Sequence, residues 1–377
     1  MPPAYSLLDG DGRLRDAARK RPLVAAASAL ALLLLLGLLV LSGRTAQPVV
    51  PKAATTLSTA YAARPFSSAK AYSAAPFALA DLFDDGFIAS LDSQLQGWAK
   101  SREGVVDTKR GLLQYRRIFQ VGGRAQLDEH QRTFIELNPS WRYEYLLDGS
   151  MDDYVASTFA QVPAIVAIYR AFPQMVIRTD WFRLLVLYAE GGLYSDLDTR
   201  CLKPIDQWPL DRDLMQSPDV DALIGVEIDV PDWSDAKLIE WRMVARFQVV
   251  QWTIVSRPHS ALLRRAVVEV AKRFLERAKA AGHGPNFDSL QHVAVKDTEI
   301  LQLSGPAMLT AVVQEQARID LGRPEYNLTE LHKLQEPRLV GRTLLLPVTY
   351  FEPGIPHSGS KPIEDAQAWC VAWLSAN

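Results

Sequence analysis

Asp196 and Asp198 stand one residue apart, shortly after the pair Gly191-Gly192. Two carboxylates that close repel each other unless something positive lies between them, and a hard, oxygen-seeking ion such as Mg²⁺ or Mn²⁺ is the usual partner. If the chain runs extended here, its side chains alternate, so Tyr194, Asp196 and Asp198 share one face while Leu193 and Leu197 share the other. The bland alternative is a solvated acidic turn, because Asp-x-Asp is common in soluble proteins. Upstream, Asp180 and Arg183 are neighbours three apart on a helix, beside an apolar stripe of Trp181, Leu184, Leu185 and Tyr188. An isolated pair of that kind is a solvated ion pair worth about 0.2–0.5 kcal/mol. Its position gives it more weight: the same helix leads through the two glycines into the acidic segment, bringing a carboxylate and a guanidinium towards the proposed cation.

The elements that must hold these residues alternate between strand and helix. Apolar runs bounded by turn residues predict strands over 117–121, 143–147, 221–228 and 344–348. Helical spacing predicts helices over 163–172, over 174–190, ended by Gly191-Gly192, and over 260–280. Such alternation indicates an α/β head with a mixed, mostly parallel sheet flanked by helices. Ligands would then lie outside the carboxyl ends of the strands, where Gly122 and Asp198 both fall.

The full chain has 377 residues, 48% of them hydrophobic, enough for one large domain or two ordinary ones. A formal net charge of −2 with dispersed Lys and Arg gives no field suited to nucleic acid. Residues 22–42 form an apolar, uncharged run centred on Leu23 to Leu41, which as a helix would span roughly 28 Å and cross a bilayer. Basic residues gather before it, so residues 1–21 are expected in the cytosol and the rest in a lumen or outside, in a single-pass type II arrangement. Residues 43–105 read as a lumenal stem, rich in Ala, Ser, Thr and Pro as far as about residue 80, with helical spacing from Asp81 to Lys100 leading into a head over 106–377. Asn327-Leu328-Thr329 is an N-glycosylation triplet. Cys201 and Cys370 are equally readable as a disulfide or as two buried thiols.

The block Arg178-Thr179-Asp180-Trp181-Phe182-Arg183 followed by Leu187-Tyr188-Ala189-Glu190-Gly191-Gly192-Leu193-Tyr194-Ser195-Asp196-Leu197-Asp198 resembles the Asp-x-Asp sugar transferases of the fungal initiation-specific α-1,6-mannosyltransferase family. Glucosylating toxins are more distant relatives. The resemblance extends to Arg117-Ile118-Phe119-Gln120, Trp141 to Tyr145, Cys201 to Ile205, Ser304-Gly305-Pro306 and His357-Ser358-Gly359-Ser360, or about residues 110 to 362. It implies a GT-A-like Rossmann-type fold, a nucleotide-sugar donor such as GDP-mannose, Mn²⁺ or Mg²⁺, and transfer to a glycan with retention. By the same resemblance, Asp196 contacts the donor's ribose and metal region and Asp198 ligates the metal. Asp180 and Arg183 hold the donor sugar and diphosphate, while Phe119, Gln120, Val121 and Tyr194 lie along the nucleotide-sugar site. His357 and Ser360 complete the metal site. It further implies a Golgi membrane location, with a glycan or glycoprotein acceptor and membership of a transferase complex as partners. Arg178 and Lys361 depart from the pattern; Lys361 replaces a tryptophan expected after Gly359-Ser360.

Two other readings are weighed. A subunit that keeps the fold but only binds sugar or scaffolds a complex would fit the missing tryptophan, but clustered carboxylates would destabilise its empty site. A haloacid-dehalogenase-like phosphatase would use Asp196 as nucleophile and Asp198 as acid/base. That fold needs a continuous apolar strand before the motif, which Gly191-Gly192 and Ser195 interrupt.

Overall fold

The structure, a computed structural model, describes residues 77–123, 126–208, 210–241 and 243–372. The tail and anchor expected over 1–42 lie outside the described residues. Among the described residues no helix is long and apolar enough to cross a membrane.

After a 3₁₀ turn at Leu79–Phe83, the chain forms α1 (Phe87–Ser101), β1 (Arg117–Val121), α2 (Glu129–Leu137), β2 (Arg142–Leu146), α3 (Asp148–Thr158), α4 (Pro163–Ala171) and α5 (Met175–Glu190). Next come β3 (Gly192–Ser195), β4 (Thr199–Cys201), α6 (Arg212–Gln216), β5 (Ala222–Asp229), α7 (Asp235–Glu240), β6 (Phe247–Ser256) and α8 (Ala261–Ala280). The last elements are α9 (Phe287–Gln291), α10 (Asp297–Leu303), α11 (Pro306–Asp320), β7 (Arg338–Val340), β8 (Thr343–Leu346) and β9 (Cys370–Ala372). Helix α1 forms because Phe87, Leu91, Leu95 and Trp98 recur on one side of it, and all four are buried. Trp98 stacks on Phe159 and donates to the Thr158 carbonyl at 3.1 Å, while the Tyr188 hydroxyl reaches the Leu95 carbonyl at 3.0 Å. This part of the stretch read as stem is thus packed onto the head.

Seven strands form one mixed sheet in the order β2-β1-β3-β6-β5-β8-β7. β2, β1 and β3 run parallel, β6 is antiparallel to both β3 and β5, and β8 is parallel to β5. Period two sorts the side chains into two cores. Phe119, Tyr194, Ile224, Ile254 and Leu345 face the layer containing α5 and α8. Ile118, Leu193, Leu223, Val255 and Leu344 face Trp208, Tyr350 and Trp369. A sheet covered on both faces leaves its strand ends as the place for polar chemistry. β4 and β9 form a separate two-stranded ribbon, in which Cys201 and Cys370 are register partners, buried as free thiols.

The turn from α5 into β3 has little room. Gly191 caps the helix at φ 65°, its N–H donating to the Leu187 carbonyl at 2.9 Å, and Gly192 follows at φ 99°. A β-carbon on Gly192 would lie 2.6 Å from the Arg117 carbonyl oxygen. Gly192→Ala therefore combines left-handed strain with a backbone clash, and chemical denaturation is expected to show a loss of at least about 2 kcal/mol.

Candidate active site

Helix α5 is enclosed on all sides over most of its length: every residue from Asp180 to Ala189 is buried. Asp180 and Arg183 are therefore not a surface pair, but two charges inside the protein, each with under a tenth of its side chain exposed. Arg183 Nη2 lies 2.9 Å from Asp180 Oδ1 and 3.2 Å from Asp196 Oδ1, so one guanidinium joins the helix to the acidic segment. Its Nη1 donates to the Gln251 carbonyl of β6 at 3.2 Å, and its plane lies over the Tyr194 ring. Asp180 Oδ2 accepts from the Ser304 hydroxyl at 2.7 Å. The Tyr194 hydroxyl donates to Asp196 Oδ1 at 2.9 Å.

Electrostatics follow from this burial. Desolvation raises the pKa of Asp180 to about 6, against the opposing pull of Arg183 and the Ser304 hydrogen bond. Burial also raises Asp196, partly offset by Arg183 and Tyr194. For Arg183 the desolvation acts against the charge, but the carboxylates of Asp196 and Asp180 prevail and keep it protonated.

The acidic segment itself is not extended. β3 ends at Ser195, and Asp196 to Asp198 form a turn into β4, closed by the Thr199 N–H on the Asp196 carbonyl at 3.2 Å. The expected single face of Tyr194, Asp196 and Asp198 is replaced by a turn because the Asp196 backbone is pinned on two sides. Its N–H donates to the Trp252 carbonyl at 2.8 Å, and its carbonyl accepts from Gln120 Nε2 at 2.9 Å. Leu197 fills the space left by Gly122, where an added β-carbon would stand 2.1 Å from Leu197 Cδ1. Asp196 is 28% exposed at its side chain, and Asp198 is exposed.

Along β1, Phe119 is wholly within the core, Gln120 is occupied by Asp196 and by the Tyr143 hydroxyl at 2.7 Å, and Val121 is buried at the strand end. His357 lies against Trp233 and Trp241, with ring centroids 5.2 Å from each. The Ser360 hydroxyl accepts from the Ile355 N–H at 2.6 Å. No three His, Cys, Asp or Glu side chains gather into a metal-binding group among the described residues. Of the expected set, Asp196 and Asp198 stand at the turn after β3, while His357 is held by its aromatic neighbours and Ser360 by the Ile355 N–H. The two aspartates still fit a hard cation. They are oxygen donors at an accessible turn, and such ions commonly take one or two carboxylates and complete their shell with phosphate oxygens and water.

Two further acids were missed by the sequence reading. Glu227 accepts from Gln248 Nε2 at 2.6 Å and sits where the register of β5 on β6 shifts, the kind of irregularity that re-aims a side chain. Burial raises its pKa to about 7, with Gln248 and the Trp252 indole opposing. Glu352 is raised to about 8 by burial first and by the charge of Glu227, with Trp252 opposing and Asp198 adding to the rise. The one available signal was a lone Glu within the apolar run Ala222-Leu223-Ile224-Gly225-Val226-Glu227-Ile228. Both acids hold protons in the folded state that the unfolded chain, titrating near 4.5, gives up. Their contribution to stability is thus complete below about pH 4.5 and lost as pH rises through about 7 and 8. The melting temperature is expected to fall between pH 6 and pH 8, and Glu352→Gln should flatten that fall.

Comparison with known proteins bears on this arrangement. Residues 125–215 match the glycosyltransferase sugar-binding region containing the DXD motif. An initiation-specific α-1,6-mannosyltransferase of Candida albicans is 28% identical over 266 residues, 66% of this chain and 66% of that protein. Its counterpart in Schizosaccharomyces pombe is 30% identical over 236 residues, 62% of this chain and 54% of that one. The chain thus spans just under two thirds of the first relative and about half of the second. Among solved structures, the PaToxG glycosyltransferase matches 65% of this chain and 92% of its own at 14% identity, with a TM-score of 0.35, too loose a likeness to carry an argument. The acidic turn and the helix before it thus fall in the matched stretch, and the chain is similar in sequence to the DXD-containing sugar transferases typified by the initiation-specific α-1,6-mannosyltransferases.

Proposed function

We propose that this chain is a hexosyltransferase with a GT-A-like fold that moves mannose from GDP-mannose onto a glycan with retention, aided by Mn²⁺ or Mg²⁺. The observation that carries this reading is the charge relay Asp180, Arg183, Asp196, buried at its helix end and reaching the turn that carries the exposed carboxylate of Asp198. A departing diphosphate develops negative charge, and a fixed guanidinium beside it stabilises that charge without reorganising. Arg183 is suited to this because Asp180, Asp196 and the Gln251 carbonyl fix its plane. A bound divalent ion would add Lewis-acid stabilisation of the phosphate oxygens, held by Asp196 and Asp198. Gln120 and Tyr194 position Asp196 through its carbonyl and carboxylate. The names of the relatives support mannose as the sugar. The charge pattern around residues 22–42 supports a single-pass type II protein with a lumenal head, in keeping with a Golgi membrane and membership of a transferase complex.

The test is to incubate the full chain with a panel of nucleotide sugars and oligosaccharide acceptors, with Mn²⁺, with Mg²⁺ and with chelator. Mannosyl transfer from GDP-mannose that chelation removes is the expected result. Transfer indifferent to chelator would overturn the metal role, and release of phosphate from phosphomonoesters would favour the phosphatase chemistry instead.

A further inference from the structure

A cavity of about 370 Å³ opens beyond the carboxyl ends of two parallel strands, β5 and β8. Asp229, the last residue of β5, and Pro347 to Thr349, just after β8, form part of its wall. The acidic turn lies at the same edge, at the end of β3, which runs parallel to β5 because each is antiparallel to β6. β5 is two strands from β3 and β8 is three. Across the strands alone, at about 4.8 Å each, the offset is roughly 10–14 Å; along them, Tyr194 and Ile224 are level on Ile254 and Asp229 lies five residues further, so the separation is on the order of 15 Å, which about three linked pyranose rings would span. β1, beside which the resemblance puts the nucleotide, lies on the opposite side of β3.

The wall is built rather than incidental. The buried carboxylate of Asp229 meets His332 Nδ1 with one oxygen and the Lys333 N–H with the other, both at 2.5 Å, while its own N–H donates to the Ser358 hydroxyl at 3.2 Å. Lys333 is held at φ 62°, a left-handed conformation costly for a side chain of its size and maintained only where surroundings enforce it. Trp233 and His357 line the cavity, and Trp241 closes an aromatic cluster with them, its ring 5.3 Å from Trp233 and 5.2 Å from His357. Trp241 is 48% exposed, a large apolar face presented to water beside the cavity. Gln335 and Gln367 contribute amides to the rim.

This chemistry suits a neutral carbohydrate. Ring C–H faces of a pyranose stack on indole, and the rim amides of Gln335 and Gln367 offer its hydroxyls polar partners, on a wall that Asp229 and Ser358 hold in shape from within. It does not suit a phosphate, because the nearby cations are engaged: Lys333 Nζ lies 3.7 Å from Asp232, and Lys237 Nζ sits 4.2 Å over the Trp233 ring. We propose that the cavity is a distal subsite for the acceptor glycan, in which Trp241 and Trp233 hold a sugar ring about three residues from the one that receives the transferred hexose. This rests on the transferase reading above. Its consequence is that longer acceptors bind better than a single sugar.

The experiment uses the full chain and two acceptors, α-linked mannotetraose and methyl α-mannoside. The expected result is a lower KM for mannotetraose, a preference that Trp241→Ala reduces roughly tenfold and Trp241→Phe largely restores. A length preference unchanged in both Trp241→Ala and Trp233→Ala would overturn the subsite. Direct titration of mannotetraose separates the two proposals. Binding that needs Trp241 in a protein that transfers nothing would support the subsite while the transferase reading fails. Transfer to glycans without any gain in mannotetraose binding over methyl α-mannoside would do the reverse.

Discussion

Asp198→Ala is expected to lower sugar transfer by about 10²–10³-fold while leaving the melting temperature of the protein unchanged. Asp198 is exposed on a turn whose shape is set by backbone hydrogen bonds to Trp252 and Gln120, so its side chain is dispensable for the fold. Among the described residues Arg183 is ion-paired to Asp196 of this pair, which leaves the exposed Asp198 as the carboxylate that meets a cation in the proposed site. Asp198→Asn keeps the shape but removes the charge, and it should lose nearly as much activity. Initial rates at saturating donor, taken with a thermal melt of each variant, check this; a variant retaining a tenth or more of wild-type transfer would sink the metal assignment for Asp198.

Arg183→Ala is expected to act on stability as well as on turnover. It would leave Asp180 and Asp196 sharing a desolvated site without a positive charge, the circumstance in which removing one partner of a buried ion pair costs about 3–5 kcal/mol. Arg183→Lys should recover little, since an ammonium cannot bridge two carboxylates and the Gln251 carbonyl in one plane. Adding Asp180→Asn to Arg183→Ala should return part of the loss, because Asp180 already rests near a pKa of about 6 and its neutral form is cheap to bury. Urea unfolding of the two single variants and the double variant measures that coupling; additive losses would contradict it.

How far these residues were legible in the sequence depends on the length and period of each element. The helix at Met175–Glu190 and the glycine pair after it were plain because caps and stripes are local signals. The depth of Asp180 and Arg183 was not, because a stripe reading assigns a polar face, whereas Trp181 to Ala189 is apolar nearly all round and buries both sides. Strand β6, central to the sheet, was missed: Phe247 to Ser256 is covered on both faces and so carries no clean alternation. Its absence also hid Gln248, Gln251 and Trp252, which hold Glu227, Arg183 and the Asp196 backbone. Glu352, just after β8, stands more than a hundred residues beyond Glu227, and only the parallel pairing of β5 with β8 brings their segments together.

The ribbon of β4 and β9 has a consequence for how the chain may be cut. The acidic turn is suspended between two moorings: β3 in the large sheet, and β4, whose partner is the strand Cys370–Ala372 from the other end of the chain. A truncation at residue 369 would remove none of the residues proposed to hold sugar or phosphate, yet would set one end of the Asp196–Asp198 turn adrift. The strand Cys370–Ala372 is in this sense a guy-line for the first residues the eye picks out, and any fusion or trimming that reaches it works directly on the tension of the site.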